Sequence, residues 1–128
     1  MGQYFRFVNL TKQEYVDPWD LGGLAKLFEW CVNPQAGIFP YLLRKSSESG
    51  GGDLDDPDKC KLAGRWAGDS LFLVGDYDSS RLFDRAEAEF RNISEPLAKE
   101  YNGFIGVPKH MLKKESTDLR GKPDGVSP

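Results

Sequence analysis

Histidine is nearly missing from this chain. His110 is the one histidine in 128 residues. Cysteine is almost as scarce, with only Cys31 and Cys60, 29 positions apart. That set has no zinc-ligand spacing, so metal chemistry through His and Cys is not expected. It also leaves a serine or cysteine nucleophile without a histidine base nearby. Long apolar runs are absent as well, and nothing approaches the length of a membrane span. The start "MGQYFRFVNL" has no secretory pattern. Position 6 is Arg6 where a myristoylation signal has Ser or Thr. There is no excess of basic charge: 17 Lys and Arg stand against 20 Asp and Glu, a net charge of −3. A nucleic-acid-binding face is therefore not expected. These absences lead us to expect a cytoplasmic protein with reduced thiols.

What is present suits one folded domain. Hydrophobic residues make up 39% of the chain, too many for a disordered one. "YFRFVNL" (4–10) alternates apolar and polar residues and reads as a strand, with "EYV" (14–16) returning antiparallel. "DPWD" (17–20) resembles a helix start, and Leu21, Leu24, Ala25, Phe28 and Cys31 recur at helical spacing. Gly22 and Gly23 interrupt it, so the helix either tolerates close packing there or begins after them. "IFPYLLRK" (38–45) reads as a short helix with Pro40 in its first turn. "CKLAGRWA" (60–67) and "SLFLVGDYD" (70–78) flank a Gly-Asp pair and are expected to form a second hairpin. "SSRLFDRAEAEF" (79–90) is an amphipathic helix behind a serine cap, and Ser94 precedes another at 95–101.

The expectation is thus an α+β domain over 1–107. It has an antiparallel sheet of two hairpins, 4–16 and 61–77, with helices near 18–31, 80–91 and 95–101 on one face. Residues 108–128 hold few large apolar side chains and are expected to form a flexible tail.

Several motifs invite a function. "GDSL" (68–71) matches the nucleophile block of an esterase, with Ser70 as nucleophile, but a strand rather than a helix follows it. A hairpin turn explains it better. In "SGGGDLDDPDKC" (49–60), Gly51 and Gly52 could cradle an anion with backbone N–H groups. No Walker lysine follows, and the flanking serines suit a flexible acidic linker. Asp53, Asp69 and Asp76 could bind Mg²⁺ through oxygen ligands. Arg65 with Trp66, and Tyr77 between two aspartates, could anchor a partner, although Trp66 suits a core position equally well.

The blocks "GGGDLD", "GRWAGD" and "LVGDYD", with the start "MGQYFRFVNLTKQEYVDP" and the stretch "LFDRAEAEFRNISEPL", resemble a widespread family of small bacterial and fungal proteins. The similarity covers residues 1 to about 100. It implies no catalytic role. Members of that family often carry a histidine-bearing "NPHK" or "HPHK" where this chain has "DPWD", and often an arginine at the position of Ser70. Retention of all three glycine–aspartate blocks favours a shared polar pocket more than the residues alone do.

The leading expectation is a non-enzymatic binding module that recognises a protein or a small ligand. Gly51, Gly52, Asp53, Arg65, Trp66, Asp69, Asp76 and Tyr77 are its candidate contacts, and no cofactor is expected. A toxin antidote or a phage-encoded inhibitor of host defence fits that profile. The alternative is a Mg²⁺-dependent hydrolase of phosphoesters built on the clustered aspartates.

Overall fold

The alternation in "FRFVN" becomes strand β1, Phe5–Asn9, and "EYV" becomes β2, Glu14–Val16, paired antiparallel to it. This is the expected first hairpin. The computed structural model describes residues 2–51, 53–54 and 56–105, so the tail expected at 108–128 lies outside the described residues. After β2 come α1 (Leu27–Val32), a 3₁₀ turn (Pro34–Gly37) and α2 (Ile38–Leu43). β3 (Leu71–Gly75), α3 (Leu82–Glu89), the short β4 (Arg91–Asn92) and α4 (Ser94–Ile105) complete the order. The sheet runs β3-β1-β2-β4. The α+β class is as expected, but the sheet is mixed, because β4 pairs with β2 in parallel.

The two faces of the sheet follow from strand alternation. Phe5 and Phe7 of β1, Leu71 and Leu73 of β3, and Val16 of β2 pack with Trp30, Ile38, Leu42 and Leu97, which come from α1, α2 and α4. Trp30 also donates its indole N–H to the Phe5 carbonyl at 3.1 Å. Val8, Tyr15 and Val74 face the other way and pack with Leu82, Phe83 and Ala86 of α3. Helices therefore cover both faces. The 80–91 helix forms, but it packs on the face opposite the others, which corrects the expectation of helices on one face.

Buried on the α3 side, Arg6 donates to the Phe83 carbonyl at 2.7 Å and lies over the Phe83 ring at 4.0 Å. Glu87 and Asp17 accept from its guanidinium at 3.2 and 3.5 Å. On the other side, the Glu100 carboxylate of α4 accepts from the Tyr41 hydroxyl at 2.5 Å and from the Leu62 N–H at 2.7 Å. Burial, then the adjacent Glu100, push the Tyr41 phenol well above its ordinary pKa.

Two expectations are corrected. First, the helix near 18–31 is only its last part. Residues 17–23 form turns, Gly22 has φ +80°, and the side chain of Gln35 fills the space where a Cβ on Gly23 would sit. Gln35 is buried and hydrogen-bonds both the N–H and the carbonyl of Leu24. The helix begins after the glycines, behind Lys26, whose N–H donates to the Glu29 carboxylate at 2.9 Å. The break resets the helical phase. Leu21 and Ala25 are buried as the spacing implies, but Leu24, Phe28 and Cys31 are exposed, Phe28 to 72%.

Second, 61–77 is not a hairpin. Residues 61–68 are consecutive turns, and β3 pairs with β1 instead. The Gly64 N–H donates to the Tyr41 carbonyl at 2.8 Å, and the Trp66 N–H to the Leu42 carbonyl at 3.0 Å. The backbone of this segment thus finds its partners at the end of α2 rather than in a strand. Gly64 has φ +79°, and a Cβ there would approach the Arg44 carbonyl oxygen to 2.6 Å. Only glycine fits that path.

The side chains show why the turns are preferred. Trp66 is fully buried. Its indole N–H donates to Glu14 at 2.8 Å. Arg65 donates to both oxygens of the same carboxylate, with Nε at 3.0 and 3.1 Å and Nη2 closing the fork. Glu14 is itself 3% exposed, a charge that could not be buried without such partners. Its burial raises the carboxyl pKa, but the Arg65 and Trp66 hydrogen bonds and the Arg65 charge outweigh it, and the net shift is downward.

Two outcomes follow. Arg65→Met leaves Glu14 buried with one donor and should destabilise the fold by about 2–3 kcal/mol, since removing one partner of a buried pair strands the other. For a domain of this size that is a melting-point drop of roughly 10 °C or more, readable by circular dichroism. The second outcome concerns pH. A depressed folded-state pKa means stability that is present above the ordinary glutamate value of about 4.3 and lost as pH falls through the folded value. Urea melts from pH 7 downward should show stability falling through that window, with a shallower fall in Glu14→Gln.

Candidate functional site

The candidate residues do not converge on one pocket. Arg65 and Trp66 close on Glu14, as described above. Asp69, at the end of the same block, accepts from Asn9 Nδ2 at 2.8 Å and from Lys12 Nζ at 2.7 Å. Those two hydrogen bonds hold the Asp69 carboxyl below its ordinary pKa. Asn9 in turn accepts from the Lys12 N–H at 2.8 Å. "RWAGD" is therefore a clamp on the β1–β2 hairpin, gripping it at residues 9, 12 and 14. Of the two readings of Trp66, core and partner anchor, the structure places it in the core.

The other aspartates are similarly engaged, each in its own place. Asp53 accepts a bidentate pair from Arg44, whose Nε lies 2.9 Å from both oxygens, and this contact holds its carboxyl below the ordinary value. Gly50 and Gly51 have φ +111° and +64°, the left-handed turn that precedes Asp53. Gly52 lies outside the described residues. Asp76 accepts the Tyr4 N–H at 3.0 Å, while its own N–H donates to the Tyr4 carbonyl, extending the β1–β3 ladder by one pair. Asp78 accepts the Ser80 N–H at 3.0 Å, and Ser80 Oγ accepts the Leu82 N–H, so this turn leads directly into α3. Among the described residues, no group of three or more His, Cys, Asp or Glu side chains is placed to hold a metal ion. Ser70 accepts the Leu10 N–H through its carbonyl and donates its own N–H to Thr11, which makes "GDSL" a junction into β3. His110 lies outside the described residues.

Tyr77 is the candidate whose side chain stands out in solvent, 59% exposed, with its hydroxyl donating to the Gly2 carbonyl at 3.1 Å. It lines an open groove of about 750 Å³ that runs along β3. Phe72, Leu73 and Gly75 form its strand side, Leu82 and Arg85 of α3 one wall, and Gln3 and Phe5 the other. Phe72 is 52% exposed within it. The groove exists because β3 is the outer strand of the sheet while the Asp78–Ser80 turn swings α3 back across one face. Its lining is mostly apolar, with Gln3, Tyr77, Asp78, Ser79, Ser80 and Arg85 supplying polar groups. Apolar troughs with a few polar groups are where proteins commonly hold ligands.

Sequence reasoning named Tyr77 but missed Phe72, Leu82 and Arg85. One signal was available. Residues 70–75, "SLFLVG", contain no charge and no proline, whereas edge strands ordinarily carry one or the other. The second large feature it missed is a set of exposed apolar side chains: Trp19, Leu24, Leu27, Phe28 and Val32. Trp19 meets Tyr4 edge-on at 5.6 Å. Among the described residues, no helix is long and apolar enough to cross a membrane.

Comparison with known proteins gives no match: no family model, no curated protein and no solved structure is similar to this chain.

Proposed function

We propose that this chain is a non-enzymatic binding module, and that a protein or small-molecule partner occupies the groove beside β3. The observation that carries this reading is the groove itself, an apolar trough on an uncharged outer strand with exposed Phe72 and Tyr77. Its position separates binding from folding. The clamp residues Arg65, Trp66 and Asp69 hold the hairpin, so recognition falls to Phe72, Tyr77 and the α3 wall. Asp76 contributes indirectly, by fixing the end of the strand on which Tyr77 follows. The aspartates considered for Mg²⁺ are each committed to a separate contact, which favours binding over phosphoester hydrolysis. Cys31 and Cys60 are both free thiols, in keeping with a reducing, cytoplasmic setting.

The test is a backbone-amide NMR screen against small-molecule fragments and short peptides. Shifts are expected to cluster on residues 72–82 and 85. Tyr77→Ala should weaken each such ligand by about tenfold, a loss of roughly 1.4 kcal/mol, with little change in melting temperature. Ligands that map elsewhere, or that bind Tyr77→Ala unchanged, would contradict the proposal.

A further inference from the structure

We infer that a second copy of this chain occupies the β3 edge, so that two sheets join antiparallel across a two-fold axis. This rests on reading the groove as the binding surface. The orientation of the strand comes first. The Leu10 N–H donates to the Ser70 carbonyl and the Asp76 N–H to the Tyr4 carbonyl, both at 2.9 Å. In an antiparallel ladder the direction of the main-chain groups alternates, so Ser70, Phe72, Val74 and Asp76 address β1. Leu71 and Leu73 direct their N–H and C=O groups outward, as Gly75 does its N–H, while the Gly75 carbonyl accepts from the Asp78 N–H at 3.1 Å. Among the described residues no strand pairs with that side. An outward row of donors and acceptors calls for an extended chain, not a helix or a flat surface.

The side chains select the chain's own β3. A two-fold axis through Leu73 makes Leu73 its own hydrogen-bonded partner, with Leu71 opposite Gly75 on either side. Phe72 then stands opposite Val74 in the non-hydrogen-bonded positions, where side chains come closest. The larger side chain meets the smaller at Leu71–Gly75 and Phe72–Val74, and Leu73 meets itself on the axis. Phe72, half exposed in the monomer, gains an apolar neighbour on its own face. No charge lies between residues 70 and 75, so self-pairing sets no like charges against each other. A symmetric interface requires this self-complementarity.

Sedimentation equilibrium of the full chain, from micromolar to millimolar concentration, tests the inference. The expected result is a monomer–dimer equilibrium that Phe72→Lys weakens at least tenfold while the melting temperature at low concentration stays unchanged. Phe72 is exposed in the monomer, so its replacement leaves the fold intact. As a second readout, amide exchange at Leu73 and Leu71 should slow with rising concentration in the wild type and not in Phe72→Lys. A wild-type chain that stays monomeric throughout would overturn the inference, as would a dimer that Phe72→Lys leaves intact. The fragment screen keeps the two readings apart. A monomer whose groove still binds fragments loses only the second copy, whereas a monomer whose groove binds nothing loses the groove as well.

Discussion

Glu14 carries a charge in a position water barely reaches, and much of the architecture follows from how that charge is satisfied. An isolated carboxylate there would cost several kcal/mol or more, so the fold must bring donors to it. Arg65 supplies a bidentate fork and Trp66 an indole N–H. Because these two residues are adjacent, the segment that carries them cannot run as an alternating strand, which would send their side chains to opposite faces. It turns instead, its backbone bonds to the end of α2, and β3 is left to pair with β1. The sheet order, the placement of the 60–68 segment and the exposed outer edge of β3 are linked through this contact.

The same logic distributes the acidic residues. Asp53 meets Arg44, Asp69 meets Asn9 and Lys12, and Asp76 meets the Tyr4 N–H. Each glycine–aspartate block is a turn whose carboxylate ties down a neighbouring element, which is what short loops need to hold one conformation. The chain therefore spends its most conspicuous residues on assembling the fold. The groove lies instead on a strand that looks unremarkable in sequence, with the α3 wall beside it.

Local signals were legible wherever one element decided its own fate. The hairpin at 4–16, the short helix over Pro40, the Leu82–Phe83–Ala86 face and the helix after Asn92 could all be read from spacing and caps. The misreadings involve contacts between distant residues. Nothing near Arg65 announces Glu14, 51 positions earlier, so "CKLAGRWA" looked like half of a hairpin. Gln35 filling the space beside Gly23 was equally invisible, although the paired glycines did mark where the helix could not begin. β4 has two residues and takes its place through hydrogen bonds from the Arg91 and Ile93 N–H groups to the β2 hairpin, too short a stretch to show a period. Of the candidate site, Tyr77 was legible as an aromatic in a polar turn. The groove was not, because it depends on which strand lies outermost.

The state of the Glu14 carboxylate decides whether the clamp organises the fold. A carbon-13 NMR titration of the glutamate side chains would follow it directly. Glu14 is expected to titrate below the ordinary glutamate value of about 4.3, because Arg65 and Trp66 hold the charged form more strongly than burial opposes it. A Glu14 that titrates at or above that value would mean that the buried carboxylate is not held by these donors, and the clamp would not be the contact that organises the fold.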